Sequence, residues 1–253
     1  MAPIIEVDDD DLKAFNQLGI KYKLREDLKN NHIKNDSSNL SFITDENLYK
    51  EIIKYLDKTF PDKKSDLSAK LEFENNVMKG SNTYTAAGID MYLKSINSKY
   101  RLARQLDLEQ DLPFTKSTYN DSGLALRNLI RANKKQGIYL FNQLKSKGIK
   151  KSDFPIWLDL RGLTLDNHLN FNLTDESKYK TAECLNWYNG TKFSKINDFG
   201  LPKEKDENSS RQIWTKNYAL SSCYLNRYSG LDSGSSDLSI SDDAGRVVLA
   251  KSL

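Results

Sequence analysis

The sequence predicts a mixed α+β fold on three observations. Early stretches set apolar residues at helical spacing behind acidic or hydroxyl capping residues, whereas late stretches alternate apolar and polar residues in short runs. Long polar connections carrying isolated aromatic and leucine residues separate the late runs, so the loops are expected to gather into one working surface.

Residues 1–75 read as a small N-terminal region, mainly helical or mixed. "DDDDLKAFNQLGI" begins with acidic capping residues, places Leu12, Phe15 and Leu18 on one helical face and stops at Gly19. "TDENLYKEIIKYLDKTF" repeats that logic, with Thr44 as N-cap, Leu48, Ile52, Ile53 and Leu56 as the apolar stripe, and Pro61 beyond its end. Residues 76–253 read as a second domain, opening with "TYTAAGIDMYLKSINSKYRLARQLDL" as helix, turn and a short strand or helix. In "STYNDSGLALRNLI", Asp121–Ser122–Gly123 reads as a turn leading into an apolar strand. A helix is expected from Gln136 to Lys147, with Ile138, Phe141 and Leu144 facing inward and Gly148 just past its end. From Phe154 the period changes to two. "FPIWLDLRGLTLDNHLNFNLT" reads as short strands and a hairpin, and "RQIWTKNY" as a strand with Trp214 as its core anchor. "GRVVLA" reads as a buried strand built on Val247–Val248.

Composition narrows the function classes. A net charge of +3 over a nearly balanced charged surface lacks the one-sided basic stripe of a nucleic-acid binder. The Lys-rich "RANKKQGIYLFNQLKSKGIKK" reads as a solvated helix face. Cys184 and Cys223 form neither a disulfide framework nor a metal spacing, and His32 and His168 lack ligand neighbours, so no metal or cofactor is expected. The N-terminus lacks the basic and apolar regions of a signal peptide, and no apolar run approaches the ~18 residues of a membrane span. A soluble chain without membrane insertion is expected, reaching the outside of a cell, if it does, by another route such as a virus particle.

The stretch from Asn217 to Val248 differs from the rest. Lys and Glu make up 40 of the 253 residues, yet neither occurs there, and Gln, Met and Trp are missing too. None of these five types is reached from an AAC or AAT codon by changing adenines alone, whereas Ser, Cys, Tyr, Asn, Arg, Gly, Asp, Ile and Ala are. A plain Ser/Gly/Asp-rich loop is the competing explanation, since loops favour these residues for turn chemistry. Leu220, Leu225, Leu231 and Leu238 follow neither helical nor strand periodicity and read as pegs pinning an irregular loop.

"LSSCYLNRYSGLDSGSSDLSISDDAGRVVL" resembles the variable region of proteins diversified by diversity-generating retroelements. The fixed positions of that pattern match Leu220, Ser221, Leu225, Leu231, Ser233, Leu238, Ser241, Gly245, Arg246, Val247 and Val248. The upstream "IWT", "PIWLDLRGLTLDNHLNF" and "YNDSGLALR" segments are similar to the archaeal and archaeal-virus branch. The resemblance spans roughly residues 80–253. It implies a C-type lectin fold with two helices, short antiparallel strands and long anchored loops. It also implies a ligand-binding role with no catalysis, the variable region lying at about 217–248. The implied displayed residues are Cys223, Tyr224, Asn226, Arg227, Tyr228, Ser229, Asp232, Gly234, Ser235, Ser236, Asp237, Ile240, Asp242 and Ala244, with Tyr218 on the same surface. Tyr224, Arg227 and Tyr228 are the expected hot spots, because Tyr and Arg dominate interface energetics. The implied ligand is a protein on a host or neighbouring cell. An enzyme of the formylglycine-generating type on the same fold, and a structural virion protein, are the alternatives. The calcium-binding motifs of sugar-binding lectins are not in the sequence.

Overall fold

The computed structural model describes residues 39–116 and 118–251; the helix expected around Leu12–Leu18 and the residue His32 lie outside them. Element labels count from the first described residue. Strand β1 (Leu40–Phe42) pairs antiparallel with the last strand, β14 (Val248–Lys251), whose other edge pairs with β4 (Tyr100–Leu102). Residues far apart in sequence thus share one three-stranded sheet, with β14 in its middle.

Helix α1 (Glu46–Thr59) starts at Asp45, not at Thr44 as the sequence suggested. The Asp45 carboxylate accepts hydrogen bonds from Asn47 N at 2.8 Å and Leu48 N at 3.3 Å, satisfying two amides of the first turn. Ile52 and Leu56, one turn apart, bury the helix against the core, with Leu48 and Ile53 at its margin. A small hairpin, β2 (Glu72–Glu74) and β3 (Val77–Lys79), leads to α2 (Thr83–Ser95). A reciprocal capping box starts α2. Asn82 Oδ1 accepts from Thr85 N at 2.9 Å, and Thr85 Oγ1 accepts from Asn82 N at 2.7 Å. Nearly every side of α2 is buried, so it runs through the interior with α1 and the sheets around it.

After β4 come two short helices, α3 (Gln105–Gln110) and α4 (Leu112–Thr115), and then β5 (Asn120–Leu126). The expected turn at Asp121–Ser122–Gly123 is part of this strand. The register against the tail shifts there, leaving Ser122 as the extra residue of a bulge. Gly123 permits the close packing, since a Cβ would lie 2.4 Å from the Trp157 ring. Helix α5 (Lys134–Ser146) buries Leu140, Phe141 and Leu144, while Ile138, predicted to face inward, is only half-buried. Gly148 follows with φ +91°, the left-handed conformation that glycine adopts without cost.

The remaining strands are β6 (Ile156–Asp159), the hairpin β7 (Leu163–Leu165) and β8 (Phe171–Leu173), β9 (Tyr179–Thr181), β10 (Thr191–Lys192), β11 (Gln212–Thr215), β12 (Leu220–Leu225) and β13 (Leu231–Ser233). A seven-stranded sheet has the order β10-β11-β13-β12-β5-β6-β9, antiparallel except for the parallel pair β11–β13. The architecture is therefore mixed α+β. The described residues form one compact unit. Segment 44–60, which the sequence grouped with the N-terminal region, shares its main hydrophobic cluster with Leu220 and Leu238 of the tail. Among the described residues, no helix is long and apolar enough to cross a membrane.

Leu56 is fully buried in that shared cluster. Leu56→Ala is expected to lower the free energy of unfolding by ~2–5 kcal/mol in denaturant titrations, in one transition that includes the tail.

Candidate functional site

The tail is woven into the core, and each of its leucine pegs enters a defined cluster. Leu220 and Leu238 join the main cluster, Leu231 joins a second around Trp157, Phe193 and Ile213, and Leu225 joins a third with Val248 and Ala250. All four are buried. The stretch is less irregular than its sequence implied, because Leu220–Leu225 and Leu231–Ser233 are strands. No polar–apolar alternation marks β12, since both of its faces are covered as far as Tyr224.

The serines that match fixed positions have specific partners. Arg127, buried at the end of β5, donates from Nη1 to Ser221 Oγ at 2.8 Å, from Nη2 to Ser233 Oγ and from Nε to Leu185 O at 2.9 Å. Ser221 Oγ in turn donates to Ser233 O at 2.9 Å, and Ser233 Oγ donates to Trp214 O at 3.1 Å. Ser241 Oγ donates to Gly80 O, and the cap residue Asn82 reaches the same loop by donating from Nδ2 to Ser239 O at 3.1 Å. Gly245 fits because a Cβ would lie 2.8 Å from Asp242 O. Arg246 Nη1 donates to the carbonyls of Asp243 and Gly245, both at 2.7 Å. Val247 and Val248 are buried.

The residues read as displayed divide into groups. Arg227, Tyr228, Asp237, Ile240 and Asp242 are exposed, Tyr228 at 72% and Ile240 at 58%. Tyr218, Tyr224, Ser229, Asp232, Gly234, Ser235, Ser236 and Ala244 are partly buried. Two are not displayed. Cys223 sits in the middle of β12, between β5 and β13, with its thiol in the cluster around Trp157. Asn226 is buried because its side chain makes the next turn: Oδ1 accepts from Tyr228 N at 3.0 Å and Gly230 N at 2.9 Å. Gly230 is sterically constrained, since a Cβ there would lie 2.6 Å from Gln212 O. Asp232, Asp237 and Asp242 close similar turns by accepting from the amides of Gly234, Ser239 and Ala244.

Residues outside the tail border its exposed and half-buried positions. Cross-strand register aligns Asp121 of β5, Tyr224 of β12, Asp232 of β13 and Trp214 of β11 in one row. Trp214, expected as a core anchor, is 40% exposed, and its neighbour Ile213 is the buried residue of β11. The Tyr224 hydroxyl donates to Asp232, and burial followed by that carboxylate raises its pKa. Tyr119, half-buried ahead of β5, meets the Tyr224 ring edge-on at 5.8 Å. Arg227 stacks over Tyr228 at 5.0 Å and over Tyr119 at 6.0 Å. The sequence signal for Tyr119 and Asp121 was their place in the family-like "YNDSG" segment, but only strand pairing shows that they border the tail.

The turn carrying Tyr228 is braced from below. Arg211 Nε donates to Ser229 O at 2.7 Å, and its Nη2 contacts both oxygens of buried Glu109 at 2.6 and 2.7 Å. Asp121 accepts from Thr83 Oγ1 at 3.2 Å and Ser81 Oγ at 3.3 Å. Burial of the carboxylate away from water outweighs these bonds and pushes its pKa up to about 6. Burial raises both thiols, Cys184 to about 12, so neither is a thiolate at neutral pH. Both cysteines are free. Among the described residues, no group of three or more His, Cys, Asp or Glu is placed to hold a metal ion. Comparisons of the chain with protein-family models, curated proteins and solved structures return no match.

Pegs and displayed residues should respond differently to truncation. Leu238→Ala is expected to cost ~2–5 kcal/mol and Asn226→Ala ~1–3 kcal/mol in unfolding titrations. Arg227→Ala and Tyr228→Ala should stay within about 0.5 kcal/mol of the wild type. Asp121 adds a pH signature. Its folded pKa lies above that of the unfolded chain, so its penalty is absent at low pH and grows as pH rises from about 4 to about 6. Asp121→Asn should therefore gain on the wild type across that window in parallel thermal scans, with no further gain above it.

Proposed function

We propose that this chain is a ligand-binding protein whose C-terminal surface is diversified by a retroelement and displayed on a C-type lectin scaffold. Its ligand would be a protein on a host or neighbouring cell. One observation carries the proposal. The residues matching the family's fixed positions pack in the core or bond to distant parts of the chain, while most of those between them reach solvent and, where they bond, chiefly close local turns. The tail composition, with no Lys, Glu, Gln, Met or Trp from Asn217 to Val248, supports the same division. Helices α2 and α5, the short antiparallel strands and the leucine-anchored loops are the parts that the C-type lectin reading asks for. An archaeal or archaeal-virus setting and a place on a virus particle belong to this proposal through the resemblance alone.

The surface chemistry suits such a role. Tyr and Arg give large contact areas at modest ordering cost, and Ser, Gly and Asp supply adaptable polar contacts. Tyr119, Asp121 and Trp214 would remain the same in every version and border the changing residues. The enzyme reading gains no support from the thiols, because both are buried and protonated.

A library randomised at Arg227, Tyr228, Asp237, Ile240 and Asp242 tests the proposal. Most members should stay folded, with unfolding temperatures within about 10 °C of the wild type. Selection against a panel of immobilised proteins should return members with different targets. Widespread loss of folding, or binding that does not depend on the randomised residues, would overturn it.

A further inference from the structure

A separate cleft of about 290 Å³ lies where the end of α2 meets β4, the turn after β6 and the turn before β9. Its charged lining is Asp90, Lys94, Arg101, Arg161 and Glu176. The partners of these charges can be assigned one by one. Lys94 Nζ lies 3.0 Å from both Asp90 Oδ2 and Glu176 Oε2, so one cation holds two carboxylates. Asp90 is engaged further by Gly162 N, at 3.1 Å. Arg101 grips Asp107 with both terminal nitrogens. Behind the cleft, Arg104 Nε lies 3.3 Å from Asp159 Oδ2. Arg161 has no carboxylate at ion-pair distance among the described residues.

A second observation falls on the same place. Of the four buried side-chain polar atoms without a hydrogen-bond partner among the described residues, Arg161 Nε belongs to the cleft wall, whereas Arg104 Nε and Asp159 Oδ1 lie behind it. A buried donor without a partner is costly, and Arg161 Nε, in the wall of the cleft, points to an acceptor bound there. Burial, then the charges of Arg104 and Arg101, disfavour the Arg161 cation, with Asp90 and Glu176 pulling the other way. The carbonyl end of α2 opposes an anion, but the carbonyls of Tyr92, Leu93 and Lys94 are already bonded by the amides of Ile96, Ser98 and Asn97.

We infer that this cleft binds a small oxyanion group, a carboxylate or a phosphate, on the Arg161 guanidinium. The planar fork of an arginine suits either group, and a bound anion would relieve its repulsion with Arg101 and Arg104. This site is independent of the displayed tail and stands or falls apart from it.

The test uses the full chain, with inorganic phosphate and acetate as separate arms and chloride at matched ionic strength. Thermal unfolding and calorimetric titration are read for the wild type, Arg161→Gln and Arg161→Lys. One of the two anions should raise the wild-type unfolding temperature and saturate, as a ligand that binds only the folded state does. Its affinity should fall at least tenfold in Arg161→Gln and less in Arg161→Lys, and the stronger arm identifies the oxyanion. Without added anion, Arg161→Gln should unfold at or above the wild-type temperature. Equal responses in wild type and Arg161→Gln, or shifts that never saturate, would overturn the site. So would a destabilised Arg161→Gln without anion, which would make Glu176 its internal partner.

Discussion

The buried guanidinium of Arg127 is the constraint on which the arrangement of the tail strands rests. A cation taken out of water without a carboxylate partner is tolerable only where its donors are met by well-placed acceptors. Here the acceptors are Leu185 O, Ser221 Oγ and Ser233 Oγ, from three separate parts of the chain. Losing the Ser221 hydroxyl would leave a charged donor unpaired in a dry interior, and losing that of Ser233 would leave Nη2 only the longer contact to Ser233 O at 3.3 Å. That fixes the two serines and, through them, the spacing of β12 and β13. The row from Asp121 through Tyr224 and Asp232 to Trp214 exists because those strands cannot slide.

Much of the outline was legible in the sequence. The helical stripe at Ile52 and Leu56, the short late strands and the four leucine pegs could be read from spacing, because burial imposes a periodicity or leaves isolated apolar residues among polar ones. What escaped depended on distant partners. "LSSCYL" gives no strand signal because Ser221 lies inside the protein, satisfied by an arginine far away in sequence. Ile213 and Trp214 are both apolar, and four residues of β11 are too few to decide which of them faces inward. Thr44 and Asp45 are both good caps, so only geometry separates them.

Turn chemistry explains why some of the presumed variable positions are less free than they looked. Asn226, Asp232, Asp237 and Asp242 each bond their own backbone two residues on. The composition announced turn formers but not which of them were in use. Asn226 makes the most of this device and is the most constrained. The turns are local and separate, so the exposed residues they carry respond largely independently to substitution. Such modularity lets one crest change without disturbing the next.

The position of β14 has a consequence for faulty chains. This strand follows the tail in sequence and occupies the middle of its sheet, hydrogen-bonded to β1 on one edge and β4 on the other. A chain whose reading frame slipped anywhere within the tail would lack it, leaving two strand edges bare and part of the core open to water. Base exchanges preserve the frame, whereas insertions and deletions do not. Proteolysis of the unfolded products would then remove chains with frame errors.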